Sequence, residues 1–364
     1  MELLTASAVL DSLKEVINPD DEKDIVSLDM VRDLKIEGRK VSFSLVFPKS
    51  KNPFAQSVKK SCEHSISTHL GKDIVIDIKI DAQQVVHKEK PLPNVKNIVA
   101  IASGKGGVGK STIAVNMAVA LARLGYSVGL IDADVYGPSI PKMLDLESAQ
   151  PVIRQIEGKD RIIPLEKYNI KVLSIGFFVS EKEALVWRGP MATSALKQLI
   201  HDGYWGDLDY LLIDLPPGTG DVHLTLVQSL AVTGVVIVST PQAVALADAI
   251  KGISMFTGKS INVPVLGLVE NMAWFTPEEL PDNKYYIFGK DGCKNLAIEM
   301  KVPLLGQIPL VQGIREGGDF GRPVADDENS ISGQAFMELA RETVRQVDIR
   351  NASIDPTEIV QLTR

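Results

Sequence analysis

Cysteine is nearly absent from this chain of 364 residues, with only Cys62 and Cys293 present. Two cysteines cannot make a disulfide framework, and their separation is not a zinc-ligand spacing, so stapling and a structural metal are both excluded as the basis of the fold. Histidine is scarce too: His64, His69, His87, His201 and His223 never recur at the i, i+4 spacing that sets two imidazoles on one helical face. No run of 18 apolar residues occurs, and Met1-Glu2-Leu3-Leu4-Thr5 carries neither a basic segment nor a long apolar core, which predicts a cytoplasmic protein. Positive charge is also in deficit, 39 Lys and Arg against 46 Asp and Glu. A net charge of -7 disfavours a surface built to neutralise nucleic-acid phosphates or anionic lipid, so neither nucleic acid nor membrane is expected as a partner.

What the chain has is apolar residues, 45% of it, and a length that fits two domains. Alternation in Lys40 to Phe47 and in Asp73 to Ile80 predicts two strands with one buried face each, flanked by helical patterns at Thr5 to Val16 and Ala55 to Leu70. Residues 1–88 therefore read as a small α+β domain. Residues 89–96 read as a linker, in which Pro91 and Pro93 stiffen the chain and stop any helix. From residue 97 to 350, apolar strands at Ile98–Ser103, Ser127–Asp132, Ile170–Ile175, Tyr210–Asp214, Val235–Ser239 and Pro264–Val269 alternate with helical patterns. That rhythm predicts an α/β domain, doubly wound around a mostly parallel sheet, which binds ligands at the carboxyl ends of its strands. Residues 351–364 lack a basic amphipathic pattern and read as a solvated tail.

One such strand end carries Gly104-Lys105-Gly106-Gly107-Val108-Gly109-Lys110-Ser111, followed by Ile113, Met117, Leu121 and Leu124 at helical spacing and Gly125 as a C-cap. Glycines let backbone N–H groups turn inward on a phosphate, and the helix N-terminus adds partial positive charge. Lys110 is placed to reach the β- and γ-phosphates and Ser111 to offer its hydroxyl to Mg²⁺. The segment predicts a nucleoside triphosphate site that takes Mg²⁺ as cofactor.

Two further strands end in acids, Asp132-Ala133-Asp134 and Asp214-Leu215-Pro216-Pro217-Gly218-Thr219-Gly220-Asp221. A carboxylate closing an apolar strand is costly unpaired, and Mg²⁺ is the partner at hand near a triphosphate. Asp214 is expected on the metal side, and Asp132 or Asp134 either helps hold the metal or orients the attacking water, Asp134 being the better placed for water. Lys105 is a second loop lysine that one phosphate site does not need. Supplied to a facing subunit it would act as an arginine finger does, which predicts a homodimer sandwiching two nucleotides. Lys105, Lys110 and Asp134 are thus the candidate catalytic residues.

Lys105 through Thr112 resembles the deviant Walker A of the group containing MinD, ParA and the nitrogenase iron protein. Asp132 through Pro141, Asp214 through Asp221 and Glu270-Asn271-Met272 resemble the Mrp/ApbC family within it. That resemblance implies ATPases that carry iron-sulfur clusters to apo-proteins, adds Thr112 to the nucleotide-binding residues, and gives Asn271 the adenine edge to read. Ile17-Asn18-Pro19-Asp20 and Asp24 through Leu28 resemble the small iron-sulfur-assembly domain of DUF59 type fused ahead of many Mrp proteins. One departure stands out. Family members carry Cys-x-x-Cys between the Asn-Met element and an Ile-Phe-Gly element, whereas Ala273 through Tyr286, ahead of Ile287-Phe288-Gly289, holds no cysteine, and Asn52 stands where relatives often place another.

Cys293, just beyond, is the remaining candidate cluster ligand, against the reading of a structural thiol. Three functions follow: a homodimeric ATP-hydrolysing cluster carrier with altered ligands, serving apo iron-sulfur proteins or assembly factors; an ATP-switched scaffold without its own cluster, with Trp274, Phe275, Tyr285 and Tyr286 as partner surface; and a MinD- or ParA-like positioning ATPase. The acidic balance disfavours the third.

Overall fold

A computed structural model describes residues 4–19, 23–47, 54–82, 91–178, 189–277, 279–280 and 283–360. The chain divides into two compact units, Met1–Lys88 and Glu89–Arg364.

In the first unit, Thr5 caps α1 (Ala6–Leu13), its hydroxyl accepting from the Ala8 N–H at 3.3 Å. The short strands β1 (Ile17–Asn18) and β2 (Lys23–Asp24) pair antiparallel. A two-residue turn, with Gly38 at φ 62°, joins β3 (Val31–Glu37) antiparallel to β4 (Lys40–Phe47). The helix α2 (Ala55–Leu70) then crosses over to β5 (Val75–Ala82), which runs parallel to β4. Val41, Phe43, Leu45 and Phe47 of β4 face Val58, Cys62 and Ile66 of α2 and Val9 and Leu13 of α1 in one core. The period-2 pattern located β4 and β5, while β3, polar and half-exposed, carries no such signal.

The second unit alternates strand and helix: β6 (Val95–Ala102), α3 (Lys110–Arg123), β7 (Val128–Asp132), α4 (Ile140–Met143), β8 (Val152–Ile156), β9 (Lys159–Ile163), β10 (Leu165–Lys167), β11 (Ile170–Ser174), α5 (Gly189–His201), β12 (Leu208–Asp214), α6 (Asp221–Ser229), β13 (Gly234–Ser239), α7 (Ala243–Thr257), β14 (Val265–Phe275), α8 (Gly292–Met300), β15 (Leu304–Leu310), α9 (Gln312–Asp319) and α10 (Ile331–Ser353). Eight strands form one sheet in the order β10-β11-β7-β12-β6-β13-β14-β15, parallel except at the β10–β11 edge. Alternate residues feed two cores. Val99 and Ile101 of β6 pack with α3 and α10 on one face, and Ile98 and Ala100 pack with α5, α6 and α7 on the other. This is the doubly wound α/β architecture expected from the strand rhythm.

Three features depart from the sequence reading. β15 extends the sheet beyond the strands expected, and β14 runs six residues past Val269, through a register shift near Met272, where φ is 56°. The exposed β8–β9 hairpin has too little buried surface to pattern its sequence. The C-terminal segment is more ordered than a solvated tail: α10 continues to Ser353, the buried Arg350 donates to the Asp355 carbonyl at 2.8 Å and the Thr357 hydroxyl at 2.7 Å, and the Val360 N–H donates to the Val227 carbonyl at 3.0 Å. A buried guanidinium must find acceptors, and the returning chain supplies two, both at Nη2. Residues 361–364 lie outside the described residues, as do residues 83–90, which include the first two of the expected linker.

Candidate nucleotide site

Register brings the site together. Asp214 pairs with Ile101 on one side and with Asp132 on the other, so the phosphate loop and both strand-end acids leave the sheet at one edge. Gly104 is required where it stands, because a Cβ there would lie 2.2 Å from the Asp248 carbonyl carbon of α7. Gly109 adopts φ 82° at the N-terminus of α3, where no side chain caps the helix and its first N–H groups are open to an anion. A cavity of about 220 Å³ opens on this loop, lined by Lys105 through Thr112 with Ser103, Asp134, Ser139, Met143 and Pro217.

Inside the cluster, the Lys110 ammonium donates to Asp214 Oδ1 at 2.7 Å and sits 3.7 Å from Asp134 Oδ2. Ser111 donates its hydroxyl to Asp214 Oδ2 at 2.6 Å. Asp132 is fully buried and accepts from Ser174 Oγ at 2.8 Å and from the N–H groups of Asp134 at 3.2 Å and Ile140 at 3.4 Å. Burial raises all three carboxyl pKa values. Asp132 is pushed up to about 7, first by burial and then by the charge of Asp214. For Asp134 and Asp214 the charge of Lys110 pulls the other way. The Lys110 ammonium thus faces two carboxyl groups, with Asp132 behind them, beside an anion cradle. The donor set fits a divalent cation arriving with phosphate oxygens.

Most predicted site residues meet here. Gly104 through Thr112 form the cradle, while Asp134 reaches the cavity and Asp132 stands behind it. Lys105 lines the cavity, and its ammonium has no hydrogen bond or ion pair among the described residues. Asn271, expected at the adenine, is only 5% exposed, and its Nδ2 donates to the Val108 carbonyl at 2.8 Å. In this structure it props the phosphate loop from β14, and a Cβ on Gly109 would strike it at 2.2 Å.

Cys293 is not with them. It is the second residue of α8, buried, its N–H donating to Glu270 Oε2 at 2.6 Å and its thiol 3.8 Å from the Thr240 carbonyl. Burial, then the charge of Glu270, pushes the thiol up to about 12. Cys62 is likewise buried and pushed up to about 12. Among the described residues no group of three or more His, Cys, Asp or Glu is placed to hold a metal ion. Asn52 lies outside the described residues. In the cysteine-free interval, Phe275 and Tyr285 exchange backbone hydrogen bonds at 2.8 and 2.9 Å, closing a hairpin on which Lys284 lies over Trp274 at 3.9 Å and Lys290 over Tyr286 at 5.0 Å. Sequence reasoning gave no role to Ser174, which has no motif, or to Glu270, an acid that follows the apolar run Val265–Val269 but lies inside β14.

Residues 94–344 match the family described as NUBPL iron-transfer P-loop NTPase, and residues 6–78 match the family described as iron-sulfur cluster assembly protein. The chain belongs to the NUBPL iron-transfer P-loop NTPase family. Its relatives include the iron-sulfur cluster carrier protein of Synechocystis sp., 44% identical over 352 residues, which are 95% of this chain and 99% of the relative. The iron-sulfur cluster transfer protein NUBPL of Mus musculus is 47% identical over 263 residues, 71% of this chain and 80% of its own. A nucleotide-binding protein from Archaeoglobus fulgidus, solved in complex with ADP, shares the fold with a TM-score of 0.57 and 35% identity, covering 68% of this chain and 94% of that one. This P-loop NTPase also has no helix among its described residues that is long and apolar enough to cross a membrane.

Proposed function

We propose that this NUBPL-type NTPase binds and slowly hydrolyses ATP as a homodimer, and couples that cycle to the delivery of iron-sulfur clusters to apo-proteins in the cytoplasm. The observation that carries the nucleotide half is the ammonium of Lys110 held between the carboxyl groups of Asp214 and Asp134 beside the glycine cradle. ATP's phosphates give Lys110 a stronger set of acceptors than Asp214 alone, and the N–H groups at the start of α3 a ligand. Ser111 and Asp214, with Asp132 behind them, are the residues that would hold Mg²⁺, which supplies charge neutralisation at the phosphates. Asp134, partly open to the cavity, is the residue to orient water. Lys105, unpaired at the cavity wall, is free to serve the nucleotide of a facing subunit.

The cluster is cargo, and the described residues offer it no complete ligand set. Carriage therefore draws on thiols from outside this chain, or on a conformation that exposes Cys293. A second reading, an ATP-switched scaffold that carries no cluster itself, is favoured by the burial of both cysteines. The experiment that separates them is anaerobic reconstitution with iron and sulfide, counting iron per dimer in the wild type and in Cys293→Ala. Stoichiometric iron lost in the variant supports a carrier with a relocated site. Iron retained in the variant points to ligands other than Cys293, and no iron in either leaves the scaffold.

A further inference from the structure

Ser174 ends β11 and pairs in register with Asp132, the last residue of β7. It is fully buried, and its hydroxyl is engaged twice. Its Oγ accepts from the Gly176 N–H at 2.9 Å, which leaves the hydroxyl proton for Asp132 Oδ2 at 2.8 Å. Asp132, fully buried as well, collects three donors: Ser174 and the Ile140 N–H on Oδ2, and the Asp134 N–H on Oδ1.

The two N–H groups among those donors are the ends of one loop. Asp134 follows β7 by two residues and Ile140 opens α4, so the Asp132 carboxyl clasps residues 134–140 at both ends. The clasped loop presents Asp134 and Ser139 to the cavity beside the phosphate cradle, while Ser174 is not among the residues lining it. At the Asp134 carboxyl, burial raises the pKa, and Lys110, followed by the N–H groups of Tyr136 and Gly137, draws it down. The loop's own backbone therefore faces that carboxyl, and the direction of the carboxyl follows the shape of the loop. The turn after Ser174 presses on the same segment: a Cβ on Gly176 would lie 3.1 Å from both Pro138 and Pro141.

We infer that Ser174 is a positioning residue for hydrolysis: by tying Asp132 to β11, its hydroxyl fixes the 134–140 loop and holds Asp134 where it orients the attacking water. The inference rests on the reading of ATP hydrolysis and of Asp134 given above. Removing the hydroxyl takes from Asp132 its one side-chain donor among the described residues and orphans the Gly176 N–H. A loop that loses its fixed point lets Asp134 drift, and a displacement on the order of 1 Å at a reacting group costs about 10–100-fold in rate. The groups that set affinity, Lys110 and the glycine cradle, lie on other elements and keep their places.

The test uses the full chain as wild type, Ser174→Thr, Ser174→Val and Ser174→Ala, measuring kcat for ATP and the affinity for the magnesium complex of a non-hydrolysable ATP analogue. Threonine and valine have nearly one shape and differ in the hydroxyl, so comparing them separates the hydrogen bond from the packing of the added methyl. Threonine should keep kcat within about 3-fold of wild type, and valine and alanine should lose about 10–100-fold, with affinity within about 3-fold throughout. Where the added methyl keeps the first two from folding, alanine decides by its split between kcat and affinity. A threonine variant no faster than the valine one, an alanine variant with wild-type kcat, or an alanine variant that loses affinity as steeply as kcat overturns the inference. A wild-type chain that binds the analogue but turns over no ATP overturns the hydrolysis reading itself, and needs no variant to show it.

Discussion

Asp214 closes β12 and Glu270 lies midway along β14 of the same sheet; both are buried carboxylates, and their surroundings satisfy them in opposite ways. Asp214 faces an ammonium and a hydroxyl at the edge of a cavity. Glu270 accepts from the Cys293 backbone N–H and the Gln307 amide, each at 2.6 Å, and makes no ion pair among the described residues. Side-chain partners can be exchanged when phosphate and a cation arrive. A helix N-terminal N–H cannot leave without disturbing α8. The first cluster is equipped for chemistry, and the second fastens a helix, so buried acids in one sheet must be sorted by the mobility of their partners and not by their burial.

The comparison breaks most visibly at Lys110. Replacing it with methionine should reduce nucleotide affinity at least ~100-fold, as calorimetry would show, and leaves the buried Asp214 uncompensated at a cost of about 3–5 kcal/mol in denaturant unfolding. Next comes Lys105, the loop lysine with no partner to lose. In Lys105→Ala, binding should stay within about 3-fold while hydrolysis falls ~10³-fold, as removal of an arginine finger would do; normal turnover would exclude the role in trans. Glu270→Ala sharpens the contrast, because it orphans the Cys293 N–H and leaves the Gln307 amide only its longer bond to Asp291 at 3.4 Å. Stability should drop by about 2 kcal/mol with nucleotide affinity nearly unchanged, and a collapse of affinity would make Glu270 part of the nucleotide machinery. The smallest effect is expected at the thiols. With both pushed up to about 12 and buried, neither Cys62 nor Cys293 should react with a thiol reagent at pH 8 until the chain unfolds.

The candidate site was legible in the sequence because its parts are local. Gly104 through Ser111 form one continuous loop, and the acids follow directly from the ends of apolar strands. The same logic could have found Glu270, which also closes an apolar run. What stayed hidden depends on pairing across the sheet. Nothing in the sequence says that Ser174 sits opposite Asp132, that the Asn271 amide turns to Val108 instead of an open pocket, or that Cys293 folds inward against Glu270. Strands β3, β8 and β9 were illegible for a different reason: half-exposed strands need no alternating apolar face. The returning segment after α10 is held by backbone groups and by Arg350, and neither leaves a periodic trace.

The helix α10 lies against α3, with the Thr343 hydroxyl 4.0 Å from Met117 Sδ and with Phe336, Leu339 and Ala340 in the same core as Ala114 and Ala118. These two helices are made at opposite ends of the unit's synthesis. At about 5–20 residues per second, the roughly two hundred residues between them hold α3 waiting on the ribosome for about 10–40 seconds with that apolar face uncovered. Throughout that interval α3 lacks one of its packing partners, so the core of this unit can close only once α10 has emerged.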